Sequence, residues 1–196
     1  YASVYLGLLM LLDMTEADTV DCELTWSADT VRWERVCPGT PLIPRGMPGS
    51  FDSGCLYAAA YPLLRDGQLK LYYGGGDAPH MGWRRGYLAL ATLRPDGFAG
   101  MTPVTKRATA IITTQPVTCG RQLRVSANAA GGSLRVGVVD ANGLGLDDCT
   151  PLTADVTNGL VVWHGSKDLS TLAGQKVRLQ FELQAATLYA FGFLPS

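Results

Sequence analysis

The sequence predicts an all-β protein in two parts, an incomplete β-propeller followed by a β-sandwich. Short runs rich in Val, Leu, Tyr and Thr recur between Gly, Pro, Asp and Asn, and long helical periodicity is missing. Hydrophobic residues make up 47 % of the chain and charged residues 17 %, which is typical of a folded protein and not of a disordered one.

The first part, residues 1–106, is predicted to contain about two propeller blades. An apolar strand, a polar strand ending in a tight turn and a segment rich in Pro and Gly follow one another, and the cycle then begins again. A propeller needs about four to eight blades to close, so we expect N-terminal blades to be missing, with Tyr1 entering in the middle of a unit. The predicted strands are Val4–Leu12, Val20–Trp26, Trp33–Cys37, Leu56–Leu64, Leu69–Gly74 and Gly86–Leu93.

The second part, residues 107–196, is predicted to be a β-sandwich. Apolar and polar residues alternate in several of its strands, as at Leu134, Val136 and Val138, which indicates one buried and one solvated face. Six such strands in about 90 residues are typical of a sandwich. They are predicted at Ala110–Gln115, Gln122–Ala127, Ser133–Val139, Leu160–Trp163, Val177–Leu183 and Thr187–Phe193.

Charge excludes two classes of partner. The chain has 16 basic and 17 acidic residues, a net charge of -1, and no run of Lys or Arg that nucleic acid or an anionic membrane would require. The apolar run Tyr5–Leu12 is too short to span a bilayer, which takes about 20 residues, and is interpreted as a buried strand. We therefore expect neither nucleic acid nor membrane as a partner.

The five cysteines favour disulfides over metal binding. No C-x-x-C pair occurs and no His stands at metal-site spacing, so no metal and no cofactor is predicted. Cys22 and Cys37 flank a predicted hairpin, and Cys119 and Cys149 bracket a later strand pair, so a bridge within each part is geometrically reasonable. Cys55 is then left over. Disulfides favour an extracellular or secretory location, and the alternative is five reduced thiols that pack as small hydrophobic side chains.

Asp52 is the candidate catalytic residue. It lies in Ser50-Phe51-Asp52-Ser53-Gly54, after the Pro/Gly segment and before an apolar strand, where the innermost strand of a blade begins near the central axis. A carboxylate there can act as a general acid, a general base or an acceptor for a sugar hydroxyl, since glycoside hydrolysis commonly uses two carboxyl groups. The alternative is an Asp that caps a turn.

The glycine run Gly74-Gly75-Gly76 leads to the candidate substrate-binding residues. It lacks the Gly-Lys-Ser/Thr ending and the following helix of a phosphate-binding loop, so a nucleotide is not expected. His80, with Trp83, Arg84 and Arg85 nearby, has the aromatic face and the forked donors that suit a sugar ring or a carboxylate. An exposed loop between blades is the alternative.

The motif Ser27-Ala28-Asp29-Thr30-Val31-Arg32-Trp33 is predicted to be a hairpin with a structural role. Ser and Asp side chains hydrogen-bond the backbone of such turns, and Trp33 is placed to pack under this one. The motif resembles the Ser-x-Asp-Gly-x-x-Trp hairpins of carbohydrate-active propellers.

Five phrases in order resemble the C-terminal portion of glycosyl-hydrolase family 32/43-like five-bladed propeller proteins. They are Cys22-Glu23-Leu24-Thr25-Trp26-Ser27, Phe51-Asp52-Ser53-Gly54, Leu71-Tyr72-Tyr73-Gly74-Gly75, Ala91-Thr92-Leu93-Arg94-Pro95-Asp96-Gly97-Phe98 and Leu188-Tyr189-Ala190-Phe191.

The resemblance implies late propeller blades followed by a sandwich, a carbohydrate ligand, and further blades from the same or another chain. It also implies that at least one catalytic carboxylate lies in the early blades, so hydrolase activity depends on their presence. The leading hypothesis is therefore part of a glycoside hydrolase-like protein. The alternative is a non-catalytic module that binds glycans or proteins in an extracellular assembly.

Overall fold

The computed structural model describes residues 1, 3–15, 17–166 and 168–194. The prediction of an all-β protein is confirmed, with 47 % of residues in strands. The described residues add two short 3₁₀ turns, His164–Ser166 and Ser170–Leu172, and among them no helix is long and apolar enough to span a membrane. The chain divides into two compact units, Tyr1–Phe98 and Ala99–Ser196.

The described residues of the first unit form one seven-stranded sheet. Strands β1 and β2 pair in antiparallel fashion over nine residues each, and β6 lies between β7 on one side and β4 with β5 on the other. A single parallel pair, Val20 with Cys55, joins β2 to β4, so both strands begin at the end of the sheet where β6 ends. The strands are β1 (Tyr5–Asp13), β2 (Thr19–Ser27), β3 (Glu34–Arg35), β4 (Cys55–Ala58), β5 (Leu63–Arg65), β6 (Gln68–Gly76) and β7 (Gly86–Leu93).

The hydrophobic core of this unit is small and lies on one face of the sheet. In β6 the alternate residues Leu69, Leu71 and Tyr73 are buried, as expected for a strand with one covered face. The Pro/Gly-rich segment after β3 runs beside β2, where Ile43 forms a backbone bridge with Cys22 and its side chain packs into the same cluster. This segment thereby brings residues 50–54 to the start of β4.

The hairpin motif after β2 has the predicted structural role. The Ser27 hydroxyl oxygen accepts hydrogen bonds from the backbone N–H groups of Asp29 and Thr30, at 3.2 and 2.8 Å. The Asp29 carboxylate accepts two more, from the N–H groups of Val31 and Arg32, both at 2.9 Å. These bonds hold the pKa of Asp29 below its usual value and fix the turn.

The second unit contains two three-stranded antiparallel sheets and one two-stranded ladder. The sheets have the orders β12-β10-β15 and β11-β14-β8, and the ladder pairs β13 with β9. The strands are β8 (Thr109–Thr113), β9 (Val117–Thr118), β10 (Leu123–Asn128), β11 (Ser133–Val138), β12 (Asp155–Leu160), β13 (Lys176–Val177), β14 (Leu179–Gln184) and β15 (Thr187–Phe193).

Both sheets of the second unit contribute to one hydrophobic cluster. Val125 from β10, Val136 from β11 and Phe181 from β14 are all buried in it. Phe181 also contacts Phe191 of β15, with ring centroids 5.1 Å apart, so side chains of the two sheets meet at this point. This cluster is larger than the core of the first unit, which indicates that most of the apolar burial lies here.

The two units divide between Phe98 and Ala99. Residues 99–106 were predicted to belong to the first part, whereas Met101 exchanges two backbone hydrogen bonds with Leu188 of β15, at 2.8 and 2.9 Å. The connecting segment therefore belongs to the second unit.

The predicted disulfides are not present, because all five cysteines are free thiols. Cys22, Cys55, Cys119 and Cys149 are buried, and Cys37 is exposed in a left-handed backbone conformation with φ of 52°. Burial raises the pKa of Cys22 to about 11, with the charge of Asp21 adding to it. The buried cysteines act as small hydrophobic side chains, the alternative that the composition left open.

Candidate binding site

Polar and aromatic residues gather at the end of the first-unit sheet where β2 and β4 begin and β6 ends. Two segments form this end: residues 50–57, which lead into and include most of β4, and residues 77–87, which connect β6 to β7. We call these two segments the rim. All of the site residues predicted from the sequence, Asp52, His80, Trp83 and Arg85, lie in it.

Asp52 is buried in the rim, with 6 % of its surface exposed. The Tyr73 hydroxyl donates a hydrogen bond to Asp52 Oδ2 at 2.8 Å, and the Ser50 hydroxyl donates to Oδ1 at 3.0 Å. A Cβ at Gly75 would lie only 2.9 Å from the Asp52 Cβ, so the backbone of β6 is packed directly against this side chain. Both carboxylate oxygens are therefore engaged within the protein.

Tyr73 is the buried partner of this carboxylate. Burial first, and then the hydrogen bond to the Asp52 carboxylate, raise the pKa of Tyr73 to about 12. The hydroxyl consequently remains a donor at all ordinary pH values. Tyr73 was not predicted from the sequence as a site residue; the signal that could have placed it in the core is the alternation of Leu69, Leu71 and Tyr73 along β6.

His80 belongs to a separate network with Tyr57 and Arg84. The Tyr57 hydroxyl lies 2.7 Å from His80 Nδ1 and accepts a hydrogen bond from Arg84 Nη2 at 3.2 Å. Which of the two groups donates depends on the His80 tautomer: with the ring hydrogen on Nε2 the hydroxyl donates to Nδ1, and with it on Nδ1 the ring donates to the hydroxyl oxygen. Burial, followed by the neighbouring Cys55 thiol, raises the pKa of Tyr57, so its hydroxyl stays protonated at neutral pH.

Arg84 adds rigidity to this network. Its guanidinium lies over the Tyr57 ring, 5.8 Å from the centroid, and it donates a further hydrogen bond to the His80 carbonyl oxygen. Arg84 thus joins the two ends of a short loop while stacking on an aromatic side chain, a position that suits Arg better than Lys.

Two carboxylates fix the backbone of the segment that carries Trp83. The Asp18 carboxylate oxygen Oδ2 accepts a hydrogen bond from the backbone N–H of Met81 at 2.7 Å. The Asp18 backbone carbonyl accepts another from the N–H of His80, also at 2.7 Å. Asp77 Oδ1 accepts the N–H of Arg85 at 2.9 Å. Between these fixed points the Trp83 side chain is 82 % exposed.

Two further aromatic residues of the rim were not identified from the sequence. Phe51 and Tyr87 are partly exposed and contact each other edge to face, with centroids 5.7 Å apart. They come from the two different segments of the rim, so only the pairing of β4 and β7 with β6 brings them together. The rim therefore contains the aromatic side chains of Trp83, Phe51 and Tyr87 and the hydrogen-bonding side chains of His80 and Arg85.

No cluster of three or more His, Cys, Asp or Glu that could hold a metal ion occurs among the described residues. Comparisons of the chain with protein-family models, with curated proteins and with solved structures found no match. The family resemblance of the five sequence phrases accordingly stays a prediction.

Proposed function

We propose that this chain is a non-catalytic carbohydrate-binding module whose binding surface is the rim. The observation that carries the proposal is a fully presented aromatic side chain on a fixed backbone, since Trp83 is 82 % exposed while Asp18 and Asp77 hold the residues on either side of it. A large apolar ring left in water on an ordered loop is typical of a binding surface.

The neighbouring groups match the chemistry of a sugar. The flat face of Trp83 stacks on the apolar face of a pyranose ring, His80 Nε2 hydrogen-bonds a ring hydroxyl, and the Arg85 guanidinium donates hydrogen bonds to ring hydroxyls or to a carboxylate. The Tyr57 hydroxyl, 2.7 Å from His80 Nδ1, orients the His80 ring before any ligand binds, and Arg84 Nη2 holds that hydroxyl at 3.2 Å. Such pre-organisation lowers the entropic cost of binding.

The position of Asp52 favours binding over hydrolysis. A catalytic carboxyl group must approach the glycosidic oxygen or the anomeric carbon, whereas Asp52 is 6 % exposed and accepts hydrogen bonds from Tyr73 and Ser50. We assign it the turn-fixing role that the sequence analysis held as an alternative.

For the architecture, we propose late blades of a glycosyl-hydrolase family 32/43-like propeller in the first unit and a β-sandwich in the second. The β1–β2 hairpin and the group of β4, β5, β6 and β7 are consistent with parts of two successive blades, and the two sheets that share one core are consistent with a sandwich. The remaining blades, from the same or another chain, and an extracellular location are parts of this proposal.

A second candidate function is glycoside hydrolysis with Asp52 as one of two carboxyl groups. Its supporting observation is that Asp52 is a buried carboxylate at the start of β4, within the rim. Asp52→Asn in the complete protein then abolishes glycan turnover, whereas the binding proposal expects no turnover to lose.

Glycan binding by matched aromatic variants tests the proposal. Trp83→Ala is expected to weaken binding of the best ligand from a glycan array at least about tenfold, because it removes the stacking face. Tyr61→Ala is the control, since Tyr61 is also 82 % exposed but lies in the loop between β4 and β5. Equal affinities for the two variants, or no glycan bound by the wild type, contradict the proposal.

A further inference from the structure

A cavity of about 380 Å³, open to solvent, lies on the surface of the second unit, where no function was predicted from the sequence. Three chain segments line it: residues 102–106, the turn between β10 and β11, and the turn between β14 and β15. Its volume is at the lower end of the range for small-molecule sites, roughly 300 to 1,000 Å³. A ligand the size of one sugar unit fits this volume better than a longer oligosaccharide does.

The walls of the cavity are fixed by specific contacts. The two turns pack so closely that a Cβ at Gly132 would overlap the Gln184 carbonyl oxygen. The Thr102 hydroxyl donates a hydrogen bond to the Ala186 carbonyl at 3.2 Å, and the Met101–Leu188 backbone pair anchors the same segment one residue earlier. The cavity is therefore a feature of the folded unit and not a gap between loose loops.

The lining has a definite chemical character. Thr102, Thr105 and Thr187 bring three hydroxyl groups, and Lys106 brings an ammonium group. Among the described residues that line the cavity there is no carboxylate, so Lys106 gives it a positive potential. The Thr102 hydroxyl, which donates to the Ala186 carbonyl, is left to accept from a ligand, and the hydroxyls of Thr105 and Thr187 can donate and accept, as the hydroxyl groups of a sugar do.

We propose that this cavity binds a small acidic sugar, a hydroxyl-bearing ring with one carboxylate. Lys106 pairs with the carboxylate, and the threonine hydroxyls bind the ring hydroxyls. The site is distinct in sequence from the rim, so this proposal does not rest on glycan binding there.

An NMR titration of the full chain tests the proposal with glucuronate, glucose and inorganic phosphate as probes. Glucuronate is expected to shift the backbone amide signals of Gly131 and Ala185, which line the cavity. Lys106→Gln is expected to weaken glucuronate binding about tenfold, the effect of losing a hydrogen bond to a charged group. Lys176→Gln, at another exposed lysine of the same unit, serves as the control and keeps the wild-type affinity.

Four outcomes overturn the proposal. Unshifted Gly131 and Ala185 signals at millimolar glucuronate exclude the cavity as the site. Unchanged affinity in Lys106→Gln, or equal affinity for glucose, removes the charge argument. Phosphate binding as tight as that of glucuronate shows that the site recognises a simple anion. Because Lys106 is exposed, these results are not obscured by misfolding.

Discussion

The hydrogen bond between Tyr73 and Asp52 provides the sharpest test of the structural role assigned to Asp52. Tyr73→Phe removes one hydroxyl and leaves the aromatic ring in place. Tyr73 is 7 % and Asp52 6 % exposed, so water does not replace the lost hydroxyl. The Asp52 carboxylate then keeps its hydrogen bond from the Ser50 hydroxyl, while Oδ2 loses its donor. Hydrogen bonds to charged groups contribute roughly 1.5 to 3 kcal/mol, and we expect Tyr73→Phe to lower the free energy of unfolding by about 2 kcal/mol.

Hydrogen exchange of the β6 amides measures this loss in the first unit alone, because local opening is read residue by residue. Tyr72→Phe is the matched control: Tyr72 is the neighbouring residue of the same strand and is 40 % exposed, so its change is expected to stay within about 0.5 kcal/mol. A double-mutant cycle of Tyr73→Phe with Asp52→Asn should give a coupling energy of about 0.5 to 3 kcal/mol. Equal effects of the two tyrosine changes, or zero coupling, would refute the assignment.

Three further predictions follow from the packing and the pKa values. Gly54→Ala is expected to destabilise the protein by about 1 to 3 kcal/mol, because a Cβ there would overlap a backbone carbonyl oxygen. Gly86→Ala is the control and should leave the melting temperature within a few degrees, because the space around it is open. Equal shifts in melting temperature for the two variants would contradict the packing. The folded-state pKa values of Tyr73, about 12, and Cys22, about 11, lie above the ordinary values of 10.0 and 9.0, so the unfolded chain loses these protons first. The contribution of these two groups to stability is therefore fully present below pH 9 and is lost as the pH rises. The free energy of unfolding falls by roughly 2 to 3 kcal/mol per group, between pH 9 and 11 for Cys22 and between pH 10 and 12 for Tyr73. A urea midpoint that does not change across this window would be inconsistent with their burial. Thiol titration should find five free cysteines in denaturant and rapid reaction of Cys37 alone in the native protein; fewer than five would indicate a disulfide.

Alternating burial made some strands recognisable in the sequence, although β1 and β2, whose burial does not alternate, were also placed to within one residue at each end. In β6 the alternation of Leu69, Lys70 and Leu71 indicates which face of the strand is buried, and apolar residues alternate with polar ones in β14 and in the first part of β11 as well. The predicted strand Leu56–Leu64 is instead two strands, β4 and β5, because the chain leaves the ladder at residues 59–62 before pairing again with β6. Pairing with a neighbour decides such interruptions, and it is not encoded in local periodicity.

Some residues of the rim were selected from the sequence and others were not. Asp52 and His80 were selected because Asp52 follows the Pro/Gly segment before an apolar strand and His80 follows a glycine run, and both positions lie at one end of the sheet. Tyr57 and Tyr87 were missed, since a tyrosine in a strand has the same appearance whether it packs or binds. The cysteine pairings failed because spacing along a hairpin does not say that Cys22 faces the core while Cys37 faces solvent.

The central claim is that the rim binds carbohydrate without cleaving it, and saturation-transfer NMR with the oligosaccharide selected on a glycan array tests it most directly. We predict transfer from the protein to the sugar ring protons, loss of that transfer in Trp83→Ala but not in Tyr61→Ala, and anomeric signals that stay unchanged through prolonged incubation. Transfer that survives in Trp83→Ala contradicts binding at the rim, and new anomeric signals that disappear with Asp52→Asn contradict the non-catalytic assignment and establish the hydrolase in its place.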